Sequence, residues 1–243
     1  MPGHLVIIPT YNERENITDI IDAVQGLKSG FHVLIVDDGS PDGTADLVRE
    51  SMVKYPGFIH LEERSGKLGL GTAYVHGFNY ALKKNYDFVY EMDADFSHNP
   101  KDLLRMAEEL EQDGADLVIG SRYVKDGKLE NWPLDRIFLS YGASIYVRLV
   151  TGLPVKDPTA GFIGYKARVL RSIDLSKIES IGYAFQIEMK YAAWKKDFRL
   201  KEIPITFKDR EKGESKMSSA IIREAAKGVL KIKSKHRPGV SKA

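Results

Sequence analysis

At 243 residues with 43% hydrophobic content, the chain is long enough to bury a substantial core and fits within one α/β domain. Lys and Arg total 36 against 34 Asp and Glu, a net charge of +2, so no overall charge argues for nucleic acid. There is no cysteine, which excludes disulfides and thiolate metal sites and fits a reducing compartment. No window approaches the roughly 18 apolar residues that cross a bilayer.

In chain order, Met1 to His4 runs straight into a strand, so no signal peptide is expected. Leu5–Ile8 has the form of a buried strand ended by Pro9. After a polar loop, Thr10–Glu13, the spacing of Ile17, Ile20, Ile21, Val24 and Leu27 predicts a helix over 16–27. Phe31–Val36 reads as the second strand, Asp37–Gly43 as a dense turn and Thr44–Lys54 as a helix. Ile59–Leu61 is a weak third strand. Gly66–Gly71 resembles a phosphate loop but lacks the full Walker spacing, and it reads as the start of a helix over 72–84. A strand over 86–92, a helix over 101–112 and a strand over 116–120 complete an alternation that implies a mostly parallel, doubly wound sheet.

Beyond Arg122 the pattern loosens. Residues 133–150 read as a helix with an apolar face, split evenly between core and another surface. Phe162–Tyr165 and Leu200–Phe207 read as strands, with a helix over 184–195 between them. Ser218–Lys235 reads as a basic helix, and no acidic residue follows Glu224. This half reads as an acceptor-binding elaboration of the same domain.

The loop Asp93-Ala94-Asp95 follows the fourth strand. Open α/β sheets bind ligands at the carboxyl ends of their strands. Two Asp side chains flanking a small Ala can share a hard divalent cation, which takes its other ligands from water and phosphates. A turn in which Asp caps the backbone is the plainer reading. The loops at 9–13, 37–44, 93–98 and 121–123 project from one edge of such a sheet. Together they offer carboxylates, an aromatic ring and an arginine, a set suited to a nucleotide diphosphate.

The segments PTYNERENI, VDDGSPDGT, GLGTAY, MDADFSHNP, GSRY, DPTAGFIGY, GYAFQIEMKY and KGESKMS, in this order, resemble family 2 glycosyltransferases of the Rossmann-like GT-A fold. More narrowly, they resemble the polyprenol (dolichol) monophosphate mannose synthases. The resemblance runs from residue 5 to about 217. It implies a catalytic domain over 1–217, with a nucleotide-sugar half at 1–123 and an acceptor half at 124–217, followed by a basic helix and tail at 218–243. It further implies that Pro9, Tyr11, Glu13, Val36 and Asp38 hold the guanosine end of GDP-mannose. Asp93, Ala94 and Asp95 would hold its diphosphate through Mg2+ or Mn2+. Arg122, Arg210 and Lys216 would meet phosphate at the reaction centre, with Arg136 and Ser140 joining Arg122 on the lipid phosphate. Some relatives have Gln as a metal ligand two positions after the acidic motif. Ser97 stands there in this chain, beside His98, which reads as a loop hydrogen-bonder.

The implied reaction is inverting mannosyl transfer to polyprenyl or dolichyl phosphate. A phosphate oxygen is already anionic, so no general base is required, and cationic groups must offset the repulsion between two anions. Replacing Arg122 is expected to spare folding and abolish turnover. The 210–216 loop reads as a lid. The alternatives are a UDP-glucose or other sugar-nucleotide donor, a glycan hydroxyl acceptor with Glu188 as base, or a non-enzymatic nucleotide-sugar-binding protein. A processive synthase is disfavoured, because no Gln-x-x-Arg-Trp segment is present. The expected location is peripheral, on the cytoplasmic face of a membrane. The apolar face of 134–150, the cations Lys227, Lys231, Lys233, Lys235, Arg237 and Lys242, and possible help from a small membrane-anchoring subunit would hold it there.

Overall fold

The computed structural model describes residues 3–178, 180, 182–209 and 228–233. Strands β1 (His4–Thr10), β2 (Phe31–Asp37), β3 (Ile59–Glu63) and β4 (Phe88–Glu91) alternate with helices α1 (Ile17–Gln25), α2 (Thr44–Lys54) and α3 (Leu70–Lys83). Helix α4 (Asp102–Glu111) leads to β5 (Leu117–Ser121) and a short β6 (Lys128–Glu130). The second half holds α5 (Leu134–Thr151), β7 (Ile163–Lys166), α6 (Ala167–Ser172), α7 (Tyr183–Trp194), β8 (Leu200–Pro204) and β9 (Thr206–Lys208). Residues 228–233 are helical, and the rest of the expected basic C-terminal helix lies outside the described residues.

Seven strands form one sheet in the order β3-β2-β1-β4-β7-β5-β8, and β6 pairs with β9 beside it. Strand β1 runs parallel to both β2 and β4, while β7 runs antiparallel to β4 and β5, so β5 again points the same way as β4. Alternate residues of a strand face opposite sides, and this period sorts the core into two layers. Leu5, Ile7, Leu34 and Val36 pack with α3, α6 and α7, whereas Val6, Ile8, Val33 and Ile35 pack with α1, α2 and α4. Helix α7 is buried on every side from Ala184 to Ala193, which places it under the sheet edge as a core element.

Two strand boundaries differ from the sequence reading. Pro9 lies inside β1 and does not end it. The β1–β4 register ends at Ile7 opposite Glu91, and the Ile7 carbonyl accepts a last hydrogen bond from Met92 N–H just beyond β4. Pro9, two residues on, faces the same side beyond the end of β4, where no ladder bond needs its missing N–H. The single strand expected over 200–207 is divided between two sheets. Strand β8 stops at Pro204, Ile205 N–H reaches Ser121, and β9 continues beside β6. Gly71 sits at the start of α3 for packing. A Cβ there would lie 2.7 Å from the Ser180 carbonyl and 2.9 Å from the Phe185 ring.

Candidate active site

Because β1, β2, β4 and β5 are parallel, the four loops named from sequence do leave one edge of the sheet. Hydrogen bonds lock the first two together. Thr10 Oγ1 donates to Asp37 at 2.8 Å, Asn12 N–H to Ser40 Oγ at 2.9 Å and Glu13 N–H to Thr44 Oγ1 at 3.1 Å. Asp37 also accepts from Ser40, which makes it the turn-forming member of the Asp37–Asp38 pair. Asp38 is buried and paired with Arg64, whose Nε donates at 2.6 Å; Leu68 N–H adds a second bond. The Lys67 ammonium stands 4.8 Å from the centre of the Tyr11 ring. Val36 is wholly buried in the core and presents no surface.

The acidic loop turns sharply after Asp95. Phe96 adopts φ +59°, a left-handed conformation rare for a bulky residue, and Ser97 N–H reaches back to Asp95 Oδ1 at 3.1 Å. Ala94 is buried, and of the flanking aspartates Asp95 is also largely buried while Asp93 is 41% exposed at its side chain. His98 is also buried, stacked 4.9 Å from Phe162, and its Nδ1 accepts from Asp93 N–H at 3.4 Å. Burial pushes the imidazole down to about 4 against the pull of Asp95, so it is neutral at physiological pH. That is the loop hydrogen-bonder read from sequence.

Arg122, just past β5, is clamped. Its Nε and Nη2 each donate at 2.7 Å to the two oxygens of Asp157, which is fully buried, and Nη2 also reaches Thr159 Oγ1 at 2.9 Å. Burial pushes the Asp157 carboxyl up, but the charge and hydrogen bonds of Arg122 outweigh it and hold it below its ordinary value. Asp157 is itself positioned from β8, its N–H donating to Glu202 at 2.9 Å. The expectation that Arg122 can be removed without harm to folding is therefore corrected, because its loss strands a buried carboxylate.

Asp93, Asp95, Arg122, Arg136 and Ser140 line one cavity of about 520 Å3. Arg136 pairs with Asp209 at 2.9 Å and its guanidinium lies 3.8 Å from the Trp132 ring centre, while Ser140 accepts from Tyr123 OH at 2.7 Å. Helix α5, which carries Arg136 and Ser140, also brings the apolar side chains of Phe138, Leu139, Ala143 and Val147 to this cavity. Pro9, near the end of strand β1, and Tyr11, Glu13 and Asp38, on the loops of the same sheet edge, do not line this cavity. Arg210 and Lys216 lie outside the described residues.

Among the described residues, no cluster of three or more His, Cys, Asp or Glu is arranged to hold a metal. Asp93 and Asp95 are thus a two-carboxylate set, with hard oxygen donors opening on a cavity. Ser97 Oγ in the same wall is buried without a hydrogen-bond partner among the described residues. This set fits a divalent cation that completes its shell from phosphate and water.

Beneath the cavity, Glu91 is fully buried and accepts from Tyr165 OH at 2.7 Å and from Gln186 Nε2; burial lifts it to about 7. Lys190, equally buried, donates to the Ala160 carbonyl at 2.6 Å, and burial lowers it to about 8. The unfolded chain keeps this lysine protonated to about pH 10.5. Between roughly pH 8 and 10.5 the unfolded state therefore binds more protons, and stability rises with pH. Subtracting the urea-unfolding profile of a Lys190→Met variant should isolate that rise; a flat difference would refute the depressed value. Sequence reading missed Arg64, Trp132, Asp157, Gln186 and Lys190. Asp157 lies in a segment that carried the family resemblance but reads locally as a turn before Pro158, and Arg64 gives no local signal.

The model for Glycosyl transferase family 2 matches residues 5–174. The polyprenol monophosphomannose synthase of Mycolicibacterium smegmatis is 48% identical over 221 residues, covering 91% of this chain and 83% of that protein. The undecaprenyl-phosphate mannosyltransferase of Micrococcus luteus is 45% identical over 227 residues, covering 93% and 92%. Among solved structures, glucosyl-3-phosphoglycerate synthase from Mycobacterium tuberculosis with Mn2+, UDP and glucosyl-3-phosphoglycerate superposes at a TM-score of 0.69. It is 17% identical over 97% of this chain and 80% of that one. The same enzyme was also crystallised with Mg2+ and UDP, at a TM-score of 0.68. At such identity the likeness establishes the fold, the GT-A arrangement expected from sequence. The extent of the family match and the identity to two curated relatives carry the rest: the chain is a glycosyltransferase and belongs to glycosyl transferase family 2.

Proposed function

We propose that this enzyme transfers a mannosyl group, with inversion, from GDP-mannose to a polyprenyl phosphate of the dolichyl type, giving β-mannosyl phosphoryl polyprenol. The observation that carries the reading is the composition of the cavity. Paired carboxylates, two arginines and several apolar side chains of α5 share one space, which suits a phosphate head with a hydrocarbon tail beside a nucleotide diphosphate. The names of the two relatives agree with it.

In this mechanism an anionic oxygen of the lipid phosphate attacks the anomeric carbon from the face opposite the diphosphate. The new C–O bond forms as the bond to the diphosphate breaks, and GDP departs with the electron pair. Arg122, oriented by Asp157, and Arg136, with Ser140, hold phosphate oxygens, since a rigid guanidinium fork grips them in two places. Arg210 and Lys216, outside the described residues, add positive charge for the diphosphate. Tyr11, Glu13 and Asp38 receive the guanosine end, Asp38 by exchanging Arg64 for the ligand. Mg2+ or Mn2+, when held by Asp93 and Asp95, supplies charge neutralisation for the donor diphosphate. No base is required, and Glu188 is not placed to act as one: it is buried outside the cavity and accepts from Ser180 N–H at 3.1 Å.

Residues 1–123 serve the donor and 124–217 the acceptor, with 218–243 as a basic attachment. Purified protein with Mg2+ and polyprenyl phosphate should move label from GDP-mannose into the organic phase. Label moving from UDP-glucose instead, or from neither donor, would overturn the reading.

No described helix is long and apolar enough to cross a membrane. The proposal sets the enzyme on the cytoplasmic surface of a membrane, with or without a small anchoring subunit. Leu134, Phe138 and Leu149 of α5 are 72%, 74% and 80% exposed and form the contact. At about 1 kcal/mol or more for each apolar side chain withdrawn from water, changing all three to Glu should weaken vesicle flotation by on the order of 100-fold. Undiminished flotation would remove α5 from the contact, and undiminished flotation on deleting 227–243 would remove the basic tail.

A further inference from the structure

Trp132 stands beside both arginines of the cavity. The Arg136 guanidinium lies 3.8 Å from its ring centre and that of Arg122 5.8 Å, and Phe207 braces the ring edge-on at 5.5 Å. All four residues line the cavity. Such contacts favour a cation over the face of an indole, so the ring orients Arg136 close beside Arg122.

A second observation is independent of the stacking. Trp132 Nε1 and Arg136 Nε are buried and have no hydrogen-bond partner among the described residues. Both atoms are donors only. A buried donor left unmet costs about 1–3 kcal/mol, and two of them in neighbouring, contacting side chains call for an acceptor with several lone pairs. The anionic oxygens of a phosphate monoester meet that need with charge-assisted bonds, which are roughly twice as strong as neutral ones.

We infer that Trp132 is a binding residue for the acceptor phosphate: its indole N–H donates to a phosphate oxygen beside Arg136, and its ring orients Arg136 close beside Arg122. The inference rests on the proposed lipid-phosphate acceptor. It makes Trp132 a determinant of selectivity for a phosphate over a hydroxyl acceptor.

The test is a Trp132→Phe variant, which keeps an aromatic face for Arg136 and removes only the N–H. Its KM for polyprenyl phosphate should rise about ten- to a hundredfold, the worth of one charge-assisted bond, while KM for GDP-mannose changes less than about twofold. In wild-type protein labelled with 15N at its indoles, farnesyl phosphate should shift the Trp132 N–H signal downfield; a Trp194→Phe variant assigns that signal. Unchanged lipid KM with an unmoved signal would overturn the inference, as would an equal rise in both KM values, which marks a structural role. If wild-type protein transfers mannose to polyprenyl phosphate, either negative result counts against Trp132 alone. If it transfers none, the acceptor reading and this inference fall together.

Discussion

An Arg122→Ala variant should lose turnover by about a thousandfold or more and should also unfold more easily, by about 3–5 kcal/mol. The two losses have different origins. Turnover falls because a fork-shaped cation disappears from a cavity where two anions must meet, and such electrostatic groups are worth several kcal/mol in a water-poor site. Stability falls because Asp157 is fully buried and is held ionised by Arg122; removing one partner of such a pair leaves the other charge uncompensated. The double variant Arg122→Ala/Asp157→Ala separates the effects. It should recover most of the stability in urea unfolding and none of the turnover. Turnover near wild type in the single variant would end the assigned role, and wild-type stability would mean the pair is not buried as described.

The second large effect concerns the acidic loop. Changing Asp93 and Asp95 together to Asn keeps the shape of both side chains and removes the charge that attracts a divalent cation. Affinity for GDP-mannose should fall by on the order of 1,000-fold, the scale of several kcal/mol of lost charge neutralisation, and a chelator should have little further effect. Asp93 is 41% exposed at its side chain, so the thermal midpoint should move little on its account. Calorimetric titration of GDP-mannose into wild type and variant, with and without chelator, measures all of this. Equal affinity in every condition would refute a metal-held diphosphate.

Local patterning carried most of the donor half of the molecule. The apolar run at Leu5–Ile8 and the strand ending at Asp93 are set by short-range composition, and the polar loops follow from turn chemistry. Once the strands are parallel, the loops must share an edge. What local reading could not supply was pairing at a distance. Nothing near Phe162–Tyr165 says that the strand enters between β4 and β5 in the opposite sense, since that depends on ladders to residues some 45 and 75 positions away. The Arg122–Asp157 clamp, the Arg64–Asp38 pair and the Gln186–Glu91 bond likewise join residues far apart in sequence. Asp38 could be picked out as a polar loop residue; that it is already bound to an arginine after β3 could not. The apolar face of 134–150 was open between core and surface. The structure divides it, with Val147 in the core and Leu134, Phe138 and Leu149 outside.

The antiparallel β7 has a kinetic consequence. Asp93 and Arg122 leave the sheet from β4 and β5, which are separated by β7, so two strand spacings, about 9–10 Å, divide their points of departure. A nascent polypeptide leaving the ribosome exposes one raw edge of β4 and both edges of β5 until residues 163–166 emerge and slot between them, with β8 following on the far side of β5. Long-range insertion of this kind is slow, and unpaired edges are sticky. Competence for chemistry therefore arrives late in synthesis, when that one short strand sets the gauge between the acidic loop and its arginine.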